Sequence, residues 1–207
     1  MKETITRREK SASRRREIIQ AGLACFTERG FTETSMAEIR RRSGASTGSI
    51  YHHFKSKEQL AAAIYLEGIR DYQTRFLASL EEQTEAREGI FAVIRYHLRW
   101  VEEHPDWTRY LFRQRHAGFM AETEEEFARM NQIFFQRCAD WFRRHVKAGT
   151  LRQLPPDLYG SLLLGPCMEF TRQYLAGHTR TSPDQAIQEL ASAAWRCLSS
   201  DTDLRSR

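Results

Sequence analysis

Two helix starts stand only eleven residues apart, at Ser35 and Ser46, and that spacing constrains the chain more than any other feature of its sequence. Ser35-x-x-Glu38 has the form of a capping box. In such a box the serine hydroxyl accepts the backbone N–H three residues on, and the carboxylate reaches back to the serine's own N–H. It predicts a short helix running through Ile39 to Arg42, followed by a turn at Ser43-Gly44-Ala45. Ser46 then caps a second short helix, Thr47 to Phe54, whose Ile50 and Phe54 lie on one side. Helices this short are not stable alone in water and need a partner to bury their apolar faces. The stretch from Ser13 to Arg29 supplies it, with Ile18, Gly22, Cys25 and Phe26 at helical spacing and Gly30 to end it. Two short helices joined by a tight glycine-containing turn form a helix-turn-helix.

Beyond this head the same punctuation continues. Ser56 with Gln59 predicts another capping box, and the helix it opens carries Leu60, Ile64, Tyr72 and Phe76 to about Leu80. Further helices are predicted at about 87–103, 106–117, 122–148, 156–176 and 183–199, separated by His104-Pro105, Gly149, Pro155-Pro156, and Gly177 with Pro183. Strand-like alternation and internal repeats are absent from the sequence. The expected fold is all-α: an N-terminal three-helix helix-turn-helix domain over residues 1–56, and a larger C-terminal helical domain for ligand binding and dimerisation over 57–207.

Charge separates the two parts. The first 60 residues carry 13 Lys/Arg against 7 Asp/Glu, whereas the other 147 carry 19 against 20. A basic head on a nearly neutral body points to a polyanion-binding module. Cys25, Cys138, Cys167 and Cys197 lie far apart without CxxC pairing or zinc-ligand spacing, which predicts free thiols in a reducing compartment. His52 and His53 point about 100° apart on a helix, too divergent to share a metal. The longest apolar stretch, Leu162 to Met168, is broken by Gly165 and Pro166 and is too short to span a bilayer. The expectation is a cytoplasmic protein with no membrane contact, no metal and no cofactor. Ser43 to Gly48 carries two glycines, but no strand precedes it and no Gly-Lys-Ser/Thr follows, which rejects a nucleotide-phosphate loop.

The segment Arg16–Tyr65 resembles the DNA-binding region of the TetR family. The resemblance rests on Phe26 with Gly30-Phe31, on Ser35-x-x-Glu38-Ile39, and on Ser43-Gly44 followed by Gly48-Ser49-Ile50-Tyr51-x-His53-Phe54-x-x-Lys57. It implies a repressor that binds double-stranded operator DNA as a homodimer and answers to a small-molecule effector. It also implies that Thr47, Gly48, Ser49 and Tyr51 face bases, with Ser35, Ser46, His52, His53 and Lys57 mostly on phosphates. Small and polar residues at the start of the second helix suit base edges in the major groove, and serine-capped helix starts suit phosphate oxygens. Two readings of Arg14-Arg15-Arg16 stand: an arm on the DNA backbone or minor groove, and a solvated helix start.

The body is richly aromatic. Phe127, Met130, Phe134, Cys138, Trp141 and Val146 recur at helical spacing, widened by Phe135 and Phe142. Position by position an ordinary core explains them; collectively they would also wall a cavity for an apolar or aromatic ligand. Trp100, Phe112, Phe134 and Tyr174 are the expected lining. Glu169 belongs either to that pocket or to a pair with Arg172. The last two helices offer small residues among large ones, with Leu158, Leu162, Gly165, Ile187, Leu190 and Ala194 as an expected dimer surface. An architectural DNA-binding protein and a helical enzyme are the rival classes, and no nucleophile–base pair or cofactor loop supports the enzyme.

Overall fold

The computed structural model describes residues 6–114 and 123–200. Among them nine helices follow one another: α1 (Arg7–Arg29), α2 (Met36–Ser43), α3 (Thr47–His53), α4 (Lys57–Glu81), α5 (Ala86–Glu103), α6 (Pro105–Gln114), α7 (Glu124–Lys147), α8 (Pro156–Leu175) and α9 (Pro183–Leu198). No sheet forms among the described residues, and a single antiparallel bridge joins Leu151 to Ser199. α1 begins earlier than the expected Ser13 because Thr6 and Glu9 form a complete capping box there. Positions 115–117 of the expected helix 106–117, and 122 of the expected helix 122–148, lie outside the described residues.

The chain divides into two compact units, 1–69 with 106–127, and 70–105 with 128–207. This division differs from a split at 56/57, because the first turns of α4 belong to the smaller unit's own core. Leu60, Ala61, Ile64 and Tyr65 pack there with Ile18, Ile19, Phe26, Ile39, Ile50 and Phe54. α6 joins the same core: the Tyr110 hydroxyl donates to the Ala61 carbonyl at 2.9 Å, and Trp107 lies against Gly68, where a Cβ would come within 2.5 Å of the indole. The two short helices therefore gain their stability from α1 and α4, each fully buried Ile or Leu contributing about 1.5–3 kcal/mol. Gly44, at φ 63° and ψ 14°, takes the left-handed conformation that turns α2 into α3.

In the larger unit α5 packs against both α8 and α9. Its core gathers Leu80, Ile90, Val93, Ile94 and Leu98 with Trp141, Phe142, Leu163, Ile187, Ala191 and Leu198. α8 runs through Pro166 without ending. Buried polar groups interrupt this core, among them His97 and Thr171. His97 Nδ1 lies 2.8 Å from the Tyr72 hydroxyl, and its Nε2 lies 3.2 Å from the Thr171 hydroxyl, so α5 is hydrogen-bonded to α4 and α8 at once. Burial holds the imidazole neutral, down to about 4 from its ordinary 6.5.

Candidate nucleic-acid interface and apolar cleft

α3 turns two kinds of face outward and inward. Ile50 is wholly buried and Phe54 nearly so, which leaves Thr47, Gly48 and His52 exposed and Tyr51 48% exposed on the other side. Ser49 is half-buried. The Ser46 hydroxyl accepts from Ser49 N at 3.2 Å, so α3 is capped without help from outside the unit. A Cβ built on Gly48 would meet nothing within 4 Å. The chain's own packing therefore gives no reason for glycine at a helical position where alanine is preferred by roughly 1 kcal/mol. His53 is half-buried against Phe54 and His52, and burial first, then the His52, Arg15 and Arg14 charges, lower its basicity, so it offers a neutral N–H rather than a cation.

Of the expected phosphate contacts, Ser35 is exposed and accepts from Glu38 N at 3.2 Å, which leaves its hydroxyl hydrogen free to donate outward. The reciprocal half of this capping box is replaced: Glu38 pairs with Arg29 at 2.8 Å. Lys57 stands at the start of α4. Its ammonium donates to the carbonyls of Phe31 at 2.8 Å, Thr32 at 3.2 Å and Thr34 at 2.9 Å, and lies 4.4 Å above the Phe31 ring. The arginine run also separates. Arg14 reaches Glu17 and the Ser43 carbonyl, and Arg15 pairs with Glu67 and lies over Phe54. Arg7, Arg8, Lys10, Arg16, Arg40, Arg41 and Lys55 are exposed and pair with no acidic side chain among the described residues, so unpaired positive charge lies along α1 and α2 and after α3.

The larger unit contains a cleft of about 640 Å³ between α4, α7 and the start of α8. Phe76, Phe134, Cys138, Phe142, Tyr159 and Leu163 wall it, and Arg143, Gln153 and Asp157 are its polar members. Of the four residues expected to line a pocket, only Phe134 does. Trp100 is buried against Tyr72, 5.2 Å between rings, with its indole N–H toward Asp71. Tyr174 stacks on Phe170 at 5.9 Å, and Phe112 is 39% exposed on α6 of the other unit. The sequence signal that would have found the wall is the i, i+4, i+8 series Phe134, Cys138, Phe142 on one stripe of α7. Glu169 bonds Arg172 and Gln173 on the surface rather than entering the cleft. Ala194 and Ile187, expected at an intersubunit surface, are buried in the unit's own core, Ala194 at 4% exposure. The outward side of α8 instead presents Leu158, Leu162, Gly165 and Glu169, with Leu158 40% exposed.

Among the described residues no group of three or more His, Cys, Asp or Glu is placed to hold a metal ion, and no helix is long and apolar enough to cross a membrane. A short helix with small exposed residues at its start, joined by a tight turn to α2 and packed on the core of α1 and α4, beside unpaired arginines and a lysine, has the form of a DNA-binding helix-turn-helix.

The comparisons with known proteins agree. The model of the tetR family of bacterial regulatory proteins matches residues 18–64. The HTH-type transcriptional repressor AcnR of Corynebacterium diphtheriae is 32% identical over 156 residues, 72% of this chain and 75% of the relative. The HTH-type transcriptional repressor KstR2 of Mycobacterium tuberculosis is 28% identical over 188 residues, 86% of this chain and 90% of the relative. The fold is shared with a TetR family transcription regulator from Marinobacter aquaeolei, at a TM-score of 0.76 and 21% identity over 93% of this chain and 99% of that one. The chain belongs to the TetR family.

Proposed function

We propose that the protein is a cytoplasmic repressor that binds a pseudo-palindromic operator as a homodimer and is released by an apolar or aromatic small molecule. Thr47, Gly48, Ser49 and Tyr51 read base edges, while Ser35, Ser46, His52, His53 and Lys57 meet phosphates. The observation that carries the DNA reading is Gly48: a glycine exposed in a helix, unexplained by any neighbour, is what close approach of another backbone requires. Gly48→Ala is therefore expected to act with opposite signs, raising the melting stability of the head by a few tenths to about 1 kcal/mol while weakening duplex binding. Sequences selected from random duplex DNA supply the ligand for that titration. An alanine variant that binds its selected duplex as tightly as wild type would remove Gly48 from the interface.

The cleft supports the effector reading. Its walls are mainly aromatic and aliphatic, and Arg143, the one basic group there, already pairs with Asp140 at 2.8 Å, so binding strength comes from apolar burial. Release follows from linkage: a ligand that prefers the non-binding arrangement lowers DNA affinity by its differential affinity, and DNA lowers ligand affinity equally.

The dimer reading draws on the outward side of α8, where Leu158 is 40% exposed and Leu162 half-buried in one protomer. Leu158→Glu with Leu162→Glu is expected to give a folded monomer in sedimentation equilibrium with sharply weakened operator binding. Wild-type protein that sediments as a monomer at micromolar concentration contradicts the dimer.

A further inference from the structure

We infer that the cleft of the larger unit takes an amphiphile with one uncharged polar end, its apolar body against Phe134, Phe142 and Leu163 and its polar end at the mouth beside Gln153 and Asp157. The inference rests on the effector reading above and specifies its ligand. The lining sorts by exposure. Phe76, Phe134, Phe142, Tyr159 and Leu163 are buried, whereas the polar members Arg143, Gln153 and Asp157 are all exposed. Two aromatic pairs make the floor: Phe76 meets Phe134 edge-on at 5.4 Å, and Phe142 stacks on Tyr159 at 4.6 Å.

The floor has little to offer a polar group. The Tyr159 hydroxyl donates its single hydrogen to the Arg152 carbonyl at 2.9 Å and accepts from the Leu154 N–H at 3.0 Å. Burial first, then the Glu81 charge, pushes the half-buried Cys138 thiol up to about 12, so it stays a neutral, weak donor. A hydroxyl or amide seated there would give up water without a comparable partner. At the mouth the signs are mixed: Arg143 pairs with Asp140 at 2.8 Å, and Asp157 stands beside them on the rim, so hydrogen bonding rather than net charge selects the end that sits there. Gly160 is the second observation. It lines the cleft within α8, has no positive φ, and a Cβ built on it meets nothing within 4 Å, whereas one on Gly89 would come within 2.3 Å of Trp141. Neither packing nor backbone conformation therefore accounts for glycine at this exposed helical position, where alanine is favoured. Open space there is what a chain passing from the floor to the mouth requires.

The test titrates the full chain calorimetrically with 1-octanol, 1-nonanol, 1-decanol, 1,10-decanediol, decanoate, decyltrimethylammonium and naphthalene, each below its aggregation or solubility limit, and repeats the titrations on Gly160→Leu and Asp157→Lys. Affinity for the alcohols should rise about fourfold per methylene, the value of burying one CH₂. The diol should bind about tenfold or more weakly than 1-decanol, because either orientation leaves one hydroxyl on the floor without a partner. Gly160→Leu should melt no lower than wild type and lose about tenfold or more of the affinity for 1-decanol. Asp157→Lys should bind decanoate about two- to fivefold more tightly and decyltrimethylammonium more weakly by a similar factor, as exposed charges at the rim do. Where Gly160→Leu does not fold, the alcohol and diol on the wild-type protein carry the decision. Equal affinity for alcohol and diol, unchanged affinities for both ions in Asp157→Lys, or full 1-decanol binding by a folded Gly160→Leu overturns the inference. Binding of naphthalene alone also overturns it while leaving an apolar effector in place. Failure of every probe to bind the wild-type protein overturns the effector reading instead.

Discussion

Phe134→Asp is expected to unfold the larger unit rather than merely to silence a binding site. The ring is 8% exposed and packs edge-on against Phe76 at 5.4 Å, so it belongs to the core as much as to the cleft wall. Removing a buried Phe side chain costs about 3–5 kcal/mol, and leaving a carboxylate there without a partner adds several more or forces it to protonate. Together these approach the whole stability of an ordinary domain, about 5–15 kcal/mol. Thermal melting followed by helix ellipticity reads the outcome, and a variant that melts like wild type would show that the ring is not packed as described. The cleft itself is better probed at Cys138, half-buried on its wall. Cys138→Phe extends into open space, so it should keep stability while excluding the apolar probe 8-anilino-1-naphthalenesulfonate. Undiminished probe fluorescence in that variant would place the probe elsewhere.

Acidification should remove about 3 kcal/mol of stability between pH 6.5 and 4 on account of His97 alone. The sign follows from where the proton goes. In the unfolded chain the imidazole takes a proton below its ordinary 6.5, whereas in the folded protein burial keeps it neutral down to about 4. Across that window the unfolded state binds the extra proton, so stability falls with pH; above 6.5 neither state is protonated and the contribution is constant. His145, lowered mainly by burial, acts in the same direction. Chemical denaturation at several pH values measures the slope. His97→Gln keeps a donor for one hydroxyl and an acceptor for the other without titrating, and should flatten the profile. Parallel loss in the two proteins would show that His97 is not held neutral.

The head was legible in the sequence because its signals are local. Ser35, Gly44, Ser46 and the spacing of Ile50 from Phe54 each act within a turn or two, and the helices end within a residue or two of where those signals placed them. The Thr6–Glu9 box carries the same kind of signal, but no apolar stripe follows it at once. The cleft was less legible. An aromatic residue reads alike in a core and in a cavity wall, and only tertiary packing separates Phe134 from Trp100. His97 gave no signal at all, since its partners lie on two other helices.

The serine caps divide by what lies beyond them. Ser35, Ser46, Ser56 and Ser182 all accept from a backbone N–H three residues on, with the same geometry to within 0.1 Å. An aspartate caps a helix as well as a serine does, so a library of variants selected only for folding should accept aspartate at all four places. A carboxylate, however, has no hydrogen to donate and carries the charge of the partner it would face. The same library selected for retention on duplex DNA should discard aspartate at 35 and 46, keep it at 182, and by that difference draw the outline of the nucleic-acid surface without a complex ever being solved.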